Sequence, residues 1–202
     1  MNIFALVFVA YLIGSIPTAY LIGKWIGKID IRQHGSGNVG ATNVFRVMGK
    51  KWGSIALLCD ISKGFIVTYF LAGSLTTQAQ LLLGLFAIIG HTWPVWLRFH
   101  GGKGVATSCG AFLGIFPKAV LLALLVWIIV AFITRYVSAS SILSAFSFPF
   151  WLTLFYRTSD AFSLSLGVSI ALLFFIIFTH RPNIARLLAG TESKIGSKSV
   201  KN

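Results

Sequence analysis

Lys103 sits among glycines in the run His100-Gly101-Gly102-Lys103-Gly104-Val105, and that combination of residue types is suited to holding phosphate. Glycine costs a helix interior about 1 kcal/mol relative to alanine, so an apolar chain clusters three of them only where the backbone has a task. Unhindered N–H groups leading into a helix N-terminus, beside an ammonium, form an anion cradle. The run is not a Walker A loop, because Gly104 follows Lys103 where a Ser or Thr would hold Mg2+. The plain alternative is a glycine hinge between two helices.

Three more polar runs carry chemistry-bearing side chains. Ser36, Asn38, Thr42, Asn43 and Arg46 crowd one short segment. It spells GxGxxG at Gly35, Gly37 and Gly40, but no strand precedes it, so a dinucleotide site is set aside. Hydroxyls and amides beside one guanidinium suit a polyol phosphate, the guanidinium taking the phosphate; the alternative is a flexible loop ending in a helix cap. Ser138 and Ser141 share a face at a helix start, where serines commonly cap. His180 and Asn183 point the same way if the backbone stays near-helical past Pro182; a lone histidine at a membrane interface is commonly structural. Within apolar segments, Asp60 and Lys63 are three apart and can pair, pinning their helix to another or to the first loop. His91 and Pro94 can shape a kink toward the Gly-Lys run. Cys59 and Cys109 lack CxxC spacing and read as small buried hydrophobes. With no clustered carboxylates, neither a metal nor another cofactor is expected.

These runs are carried by an apolar chain. Of 202 residues, 56% are hydrophobic and 10% charged, against about 25% charged in soluble domains. The expected fold is all-α: a polytopic helical bundle in a membrane. Net charge is +13, from 17 Lys+Arg against 4 Asp+Glu. Most of the excess follows the positive-inside bias of membrane proteins, and the remainder suits anionic ligands or headgroups rather than nucleic acid.

Seven apolar blocks run over residues 3–22, 54–75, 80–97, 105–116, 119–134, 139–155 and 162–179. The first is too long for a signal-peptide core and reads as a retained span. The fourth covers only about 18 Å of a roughly 30 Å core. Charge argues that it crosses nevertheless. With seven crossings, the outer side carries only Lys118 and Arg157, and the inner side carries the other loop and tail cations from Lys24 to Lys201. The N-terminus is then outside and the C-terminus cytoplasmic, with residues 1–190 as one seven-helix domain and 191–202 as a polar, basic, mobile tail. Gly110-x-x-x-Gly114 can pack helices within the bundle or between chains.

Taken in series, Ser36-Gly-Asn-Val-Gly-Ala-Thr-Asn43 with Arg46, Gly90-His91-Thr-Trp-Pro94 with Gly101-Gly-Lys103-Gly104, and His180 with Asn183 resemble the bacterial acyl-phosphate:glycerol-3-phosphate acyltransferases. The likeness covers about residues 10–190. It implies transfer of a fatty acyl group from acyl phosphate to the sn-1 hydroxyl of glycerol-3-phosphate. The products are lysophosphatidic acid and inorganic phosphate, at the entry to phospholipid synthesis, in the bacterial inner membrane. A separate acyl-phosphate-forming enzyme would supply the donor. Ser36, Arg46, Lys103, Ser141, His180 and Asn183 match the family's polar site, and Gly101, Gly102 and Gly104 its phosphate loop. Asn38, Thr42, Asn43 and Ser138 join them as substrate-binding candidates. Pro182 departs from the acidic residue usual at its place.

Acyl phosphate is already activated, so direct transfer needs no acyl-enzyme. The chain also lacks the His-x-x-x-x-Asp of acyl-CoA-dependent glycerolipid acyltransferases: Trp96 follows His91 at that spacing, and Val105 follows His100. On this reading the Gly-Lys run holds the donor phosphoryl, Arg46 the glycerol phosphate, and His180 with Asn183 the attacking glycerol. The proton acceptor is the substrate's own phosphate or His180. The competing class is a transporter of phosphate or organic phosphates, which Asp60, Lys63 and His91 inside spans would suit. Polar runs gathered on one face and the lack of an inverted repeat disfavour it.

Overall fold

Pro17 interrupts the first apolar block. Proline has no N–H to donate and clashes with a preceding helical turn, so α1 (Ile3–Ser15) stops before it and α2 (Thr18–Trp25) starts after it, bent by 40°. The computed structural model describes residues 2–196, which contain helices and turns and no strand. The chain divides into two compact units, the first ending at Ile115 and the second beginning at Phe116.

In the first unit, α3 (Ala41–Phe65) kinks at Gly49, where φ is 84° and ψ −177°. Past the kink it continues through a π-helical turn, Ile66–Leu71. The stretch from Lys50 to Leu71 rises about 33 Å at 1.5 Å per residue, enough for a bilayer core. α4 (Thr77–Thr92) follows, then the short α5 (Val105–Leu113). Glycines bring these helices close. A Cβ at Gly14 would collide with the Ala87 backbone, so α1 lies directly on α4; one at Gly110 would collide with the Ile61 carbonyl, so α5 lies on α3. Gly114 likewise faces Thr68. Both members of the Gly110/Gly114 pair therefore pack inside this unit, the first of the two roles its spacing allowed.

The second unit is a helical hairpin, α6 (Pro117–Thr134) and α7 (Val137–Tyr156), followed by α8 (Phe162–Thr179) and α9 (Arg181–Leu188). Arg135, at φ 61°, ends α6 and turns the chain. The Ser144 hydroxyl donates to the Ala123 carbonyl at 2.7 Å, a polar tie between α6 and α7. Phe132 and Ile133 are 86% and 73% exposed, as side chains in contact with acyl chains should be.

Among the described residues, five helical stretches are long and apolar enough to cross a membrane: Ala41–Leu71, Thr77–Leu97, α6, α7 and α8. The bent α1–α2 pair makes a sixth when taken as one span. α5, with nine residues, rises about 14 Å, less than half of a roughly 30 Å core.

Candidate active site

Asn43 organises the first polar loop. It lies 1% exposed in the first turn of α3. Its side-chain amide donates to the carbonyls of Ile31 (3.1 Å) and His34 (2.9 Å) and accepts from the N–H of Ser36 (2.9 Å). The amide is thus engaged with the loop itself rather than turned toward a ligand. Gly35, at φ 63°, leaves the room that Asn43 occupies. Ser36 and Thr42 stand exposed on this frame, with Asn38 and Arg46 half-buried. Asp30 caps the turn at Ile31–Gln33 and pairs with Arg32 at 2.7 Å. The Arg32 guanidinium holds the Asp30 carboxyl down at about 2. Val39 of this loop and Leu97, just ahead of the Gly-Lys run, are buried in one apolar cluster with Ile31 and Val44, which ties the two loops together.

The Gly-Lys run folds back on the end of α4. The N–H of Gly101 donates to the Thr92 carbonyl (3.0 Å) and that of Gly102 to the His91 carbonyl (3.1 Å). These two glycines therefore do not offer the N–H groups expected of them from the sequence; their donors close the preceding helix. Gly104, at φ 84°, is the N-cap of α5 with no side chain to cap it. The N–H groups of the first turn, beginning at Val105, are those a helix leaves unpaired. Thr107 Oγ1 and Ser108 Oγ, in the first turns of α5, are buried without a hydrogen-bond partner. Lys103 and Gly104 thus lead into the helix N-terminus of α5, where the partial positive end of the helix lies.

Beneath the loop lies a buried polar group. Lys63 pairs with Asp60 at 2.9 Å, as their spacing allowed. The pair is pinned at the α1–α2 break rather than to the first loop: Lys63 Nζ donates to the Ile16 carbonyl (3.0 Å), and the Thr18 hydroxyl donates to Asp60. His91 Nδ1 is 3.6 Å from the same carboxylate. Pro94 follows the end of α4 instead of kinking it.

The second unit holds the remaining candidates. Ser141 Oγ donates to Val137 (2.8 Å) and accepts from the Trp127 indole N–H (3.2 Å). His180 is buried, and its Nδ1 lies 2.8 Å from the Ile176 carbonyl. Only a protonated Nδ1 can make that bond, so a neutral His180 carries its lone pair on Nε2. Pro182 stands in the first turn of α9, where its missing N–H costs nothing. The backbone therefore stays helical across it, and the Asn183 N–H donates to the His180 carbonyl at 2.8 Å.

Sequence reasoning missed Glu192. Its carboxylate accepts from Ser138 Oγ (2.9 Å), Asn183 Nδ2 (2.6 Å) and Arg186 Nε (2.7 Å). Burial pushes this carboxyl up, but the three donors together hold it below the usual glutamate value. Ile195 and Arg135 exchange further bonds, N–H to carbonyl at 2.7 Å and guanidinium to carbonyl at 2.8 Å. The expected tail thus makes contacts through Glu192 and Ile195; its remainder, 197–202, lies outside the described residues. One signal was in plain view: Glu192 is the chain's single glutamate and the only acid after Asp160. Among the described residues no group of three or more His, Cys, Asp or Glu could hold a metal ion.

The pattern that defines the family described as glycerol-3-phosphate acyltransferase matches residues 4–190. Relatives called glycerol-3-phosphate acyltransferase include one from Desulforamulus reducens, 46% identical over 95% of this chain and 94% of the relative. Another, from Staphylococcus haemolyticus, is 46% identical over 96% and 98%. Two crystal structures of PlsY, an integral membrane glycerol 3-phosphate acyltransferase, also match. Its glycerol 3-phosphate form has a TM-score of 0.88 at 38% identity, covering 96% of each chain. Its lysophosphatidic acid form has a TM-score of 0.85 at 37% identity, covering 96% of this chain and 95% of that one. A helical fold with membrane-length helices and matches of this extent agree: the chain belongs to the glycerol-3-phosphate acyltransferase family.

Proposed function

We propose that this acyltransferase takes its acyl group from acyl phosphate and passes it directly to the sn-1 hydroxyl of glycerol-3-phosphate. The observation that carries the reading is that one similar protein was solved in both a glycerol 3-phosphate form and a lysophosphatidic acid form, an acceptor and its acylated product. The donor is argued from chemistry. A cationic loop beside a helix N-terminus supplies an anion site in addition to Arg46, as a second phosphate-bearing substrate requires.

The glycerol oxygen attacks the acyl carbonyl carbon, the bond from that carbon to the phosphate oxygen breaks, and inorganic phosphate leaves with the electron pair. The hydroxyl proton passes to the phosphate of glycerol-3-phosphate, with Nε2 of His180 as the other acceptor. Lys103, Gly104 and the first turn of α5 hold the donor phosphoryl and stabilise its growing charge. Gly101 and Gly102 shape that loop. Ser36 and Arg46 bind the glycerol phosphate, with Asn38 and Thr42 beside them and Asn43 holding their loop. His180 and Asn183 orient the acceptor, while Ser138 and Ser141 line it. Catalysis by two anion sites and positioned dipoles needs no metal or cofactor.

Residues 1–190 act as one membrane domain of seven crossings, α5 being the short one. The N-terminus is outside and the polar loops face the cytoplasm, as the distribution of Lys and Arg supports. A companion enzyme that forms acyl phosphate supplies the donor at the inner membrane.

Purified protein in detergent, without added metal, should form lysophosphatidic acid from palmitoyl phosphate and glycerol-3-phosphate, and not from palmitoyl-CoA. Lys103→Ala and His180→Ala should each lower kcat/KM by roughly 100-fold while leaving the unfolding midpoint near wild type. Turnover with palmitoyl-CoA but none with palmitoyl phosphate would overturn the donor. Vectorial uptake of glycerol-3-phosphate into proteoliposomes without acylation would instead favour the transporter.

A further inference from the structure

We propose that His91 is a positioning residue for the Gly-Lys loop, and that Gly102 lacks a side chain to make room for the His91 ring rather than for a ligand. The proposal rests on the reading that this loop binds phosphate. A Cβ built on Gly102 would meet His91 first: it would collide with Nε2, stand 2.8 Å from Cε1 and 3.0 Å from Cδ2. Its three nearest neighbours all belong to that one ring. The backbone follows the same contact, since the Gly102 N–H donates to the carbonyl of His91 itself. Ring and carbonyl of one residue thus grip the position next to Lys103.

The ring is held from behind. His91 is 8% exposed, and its Nδ1 faces the Asp60 carboxylate at 3.6 Å, an electrostatic contact rather than a hydrogen bond. Asp60 is fixed by Lys63 and Thr18, and Lys63 by the Ile16 carbonyl. A small cavity lined by Thr18, Asp60, Lys63, His91, Gly101 and Gly102 brings these groups together. The loop's height and tilt are therefore set by a rigid chain of contacts from the α1–α2 break through α3 and α4. Preorganisation of this kind is what an anion site needs, because a displacement of about 1 Å in a positioning element can cost 100-fold in rate.

Relief of the collision tests the idea. Wild type, Gly102→Ala, His91→Ala and the double variant are compared in detergent, with His91→Asn, which shortens the side chain but keeps a donor toward Asp60, run in parallel. Two readouts are taken: the rise in unfolding midpoint caused by inorganic phosphate, the leaving group of the donor held by this loop, and KM for each substrate. Gly102→Ala should lose the phosphate-induced rise and about 100-fold in kcat/KM. Combining it with His91→Ala or His91→Asn should restore both to within about threefold of the His91 variant alone, a strongly non-additive pair. The restored quantity should be KM for one phosphate substrate; a merely unfolded fraction would lower kcat and leave both KM values unchanged. Double variants as impaired as Gly102→Ala alone would overturn the proposal, as would a Gly102→Ala protein with wild-type behaviour. Because the phosphate-induced rise needs no acyl donor, a wild type inactive with acyl phosphate would sink the donor assignment and still leave this question decided.

Discussion

Glu192 shows how one carboxylate can organise a set of residues far apart in sequence. It gathers Ser138, Asn183 and Arg186, two of which belong to the proposed substrate set. Its folded pKa lies below the unfolded value. The stabilisation is therefore fully present above the unfolded pKa and is lost as pH falls through the lowered folded one. Between about pH 5 and 3, the unfolding midpoint of the wild type should fall more steeply than that of Glu192→Gln, which starts lower at pH 7 and titrates less. Equal slopes would remove the linkage. At this scale the sequence was half legible. Asn43, Ser138 and Asn183 stood out by type, but their partners are the carbonyls of Ile31 and His34 and the carboxylate of Glu192. A residue's type says that it will bond, and the fold decides to what. The same holds for Gly101 and Gly102, whose N–H groups close α4.

Among the elements, α3 carries the most demanding burden, a buried Asp60 and Lys63 in a span. Removing one partner leaves an uncompensated charge and costs about 3–5 kcal/mol, whereas replacing both with apolar groups of similar volume is often near neutral. Lys63→Met alone should therefore lower the unfolding midpoint well below that of the pair Asp60→Leu with Lys63→Met. A double variant worse than the single would show that Thr18 and His91 depend on the carboxylate for more than charge balance. The pairing itself was readable, because three residues apart is one helical turn. Its anchor was not. The Ile16 carbonyl, which also accepts from the Thr18 N–H, sits at the break made by Pro17, 46 positions upstream of Lys63, a relation that no local pattern encodes. The apolar blocks, by contrast, appear nearly where expected, because a run of lipid-compatible residues can satisfy its backbone only as helix. Their ends differ where Pro17 and Gly49 break the helix.

At the scale of the whole chain, the proposed orientation makes a further prediction. In a background with Cys59→Ala and Cys109→Ala, cysteines placed at Lys118 and Arg157 should react with an impermeant maleimide in intact cells. One at Lys24 or Arg135 should react only after the membrane is opened. The reverse pattern would turn the molecule over, and labelling of Lys118 and Arg135 from the same side would remove a crossing. Composition and charge made the membrane and the helical class readable from the sequence, and the order of motifs made the family readable. The number of crossings rests on α5, whose nine residues are too few for length alone to decide. The α1–α2 break has one more consequence, for biogenesis. Asp and Lys near the middle of a span each oppose insertion by about 2.5–3.5 kcal/mol, so α3 emerging alone from the ribosome would be a poor client of the translocon. The groups that hydrogen-bond its ion pair, the Ile16 carbonyl and the Thr18 hydroxyl, have by then already been made. In order of synthesis, the charged helix therefore follows the segment that supplies its two polar contacts.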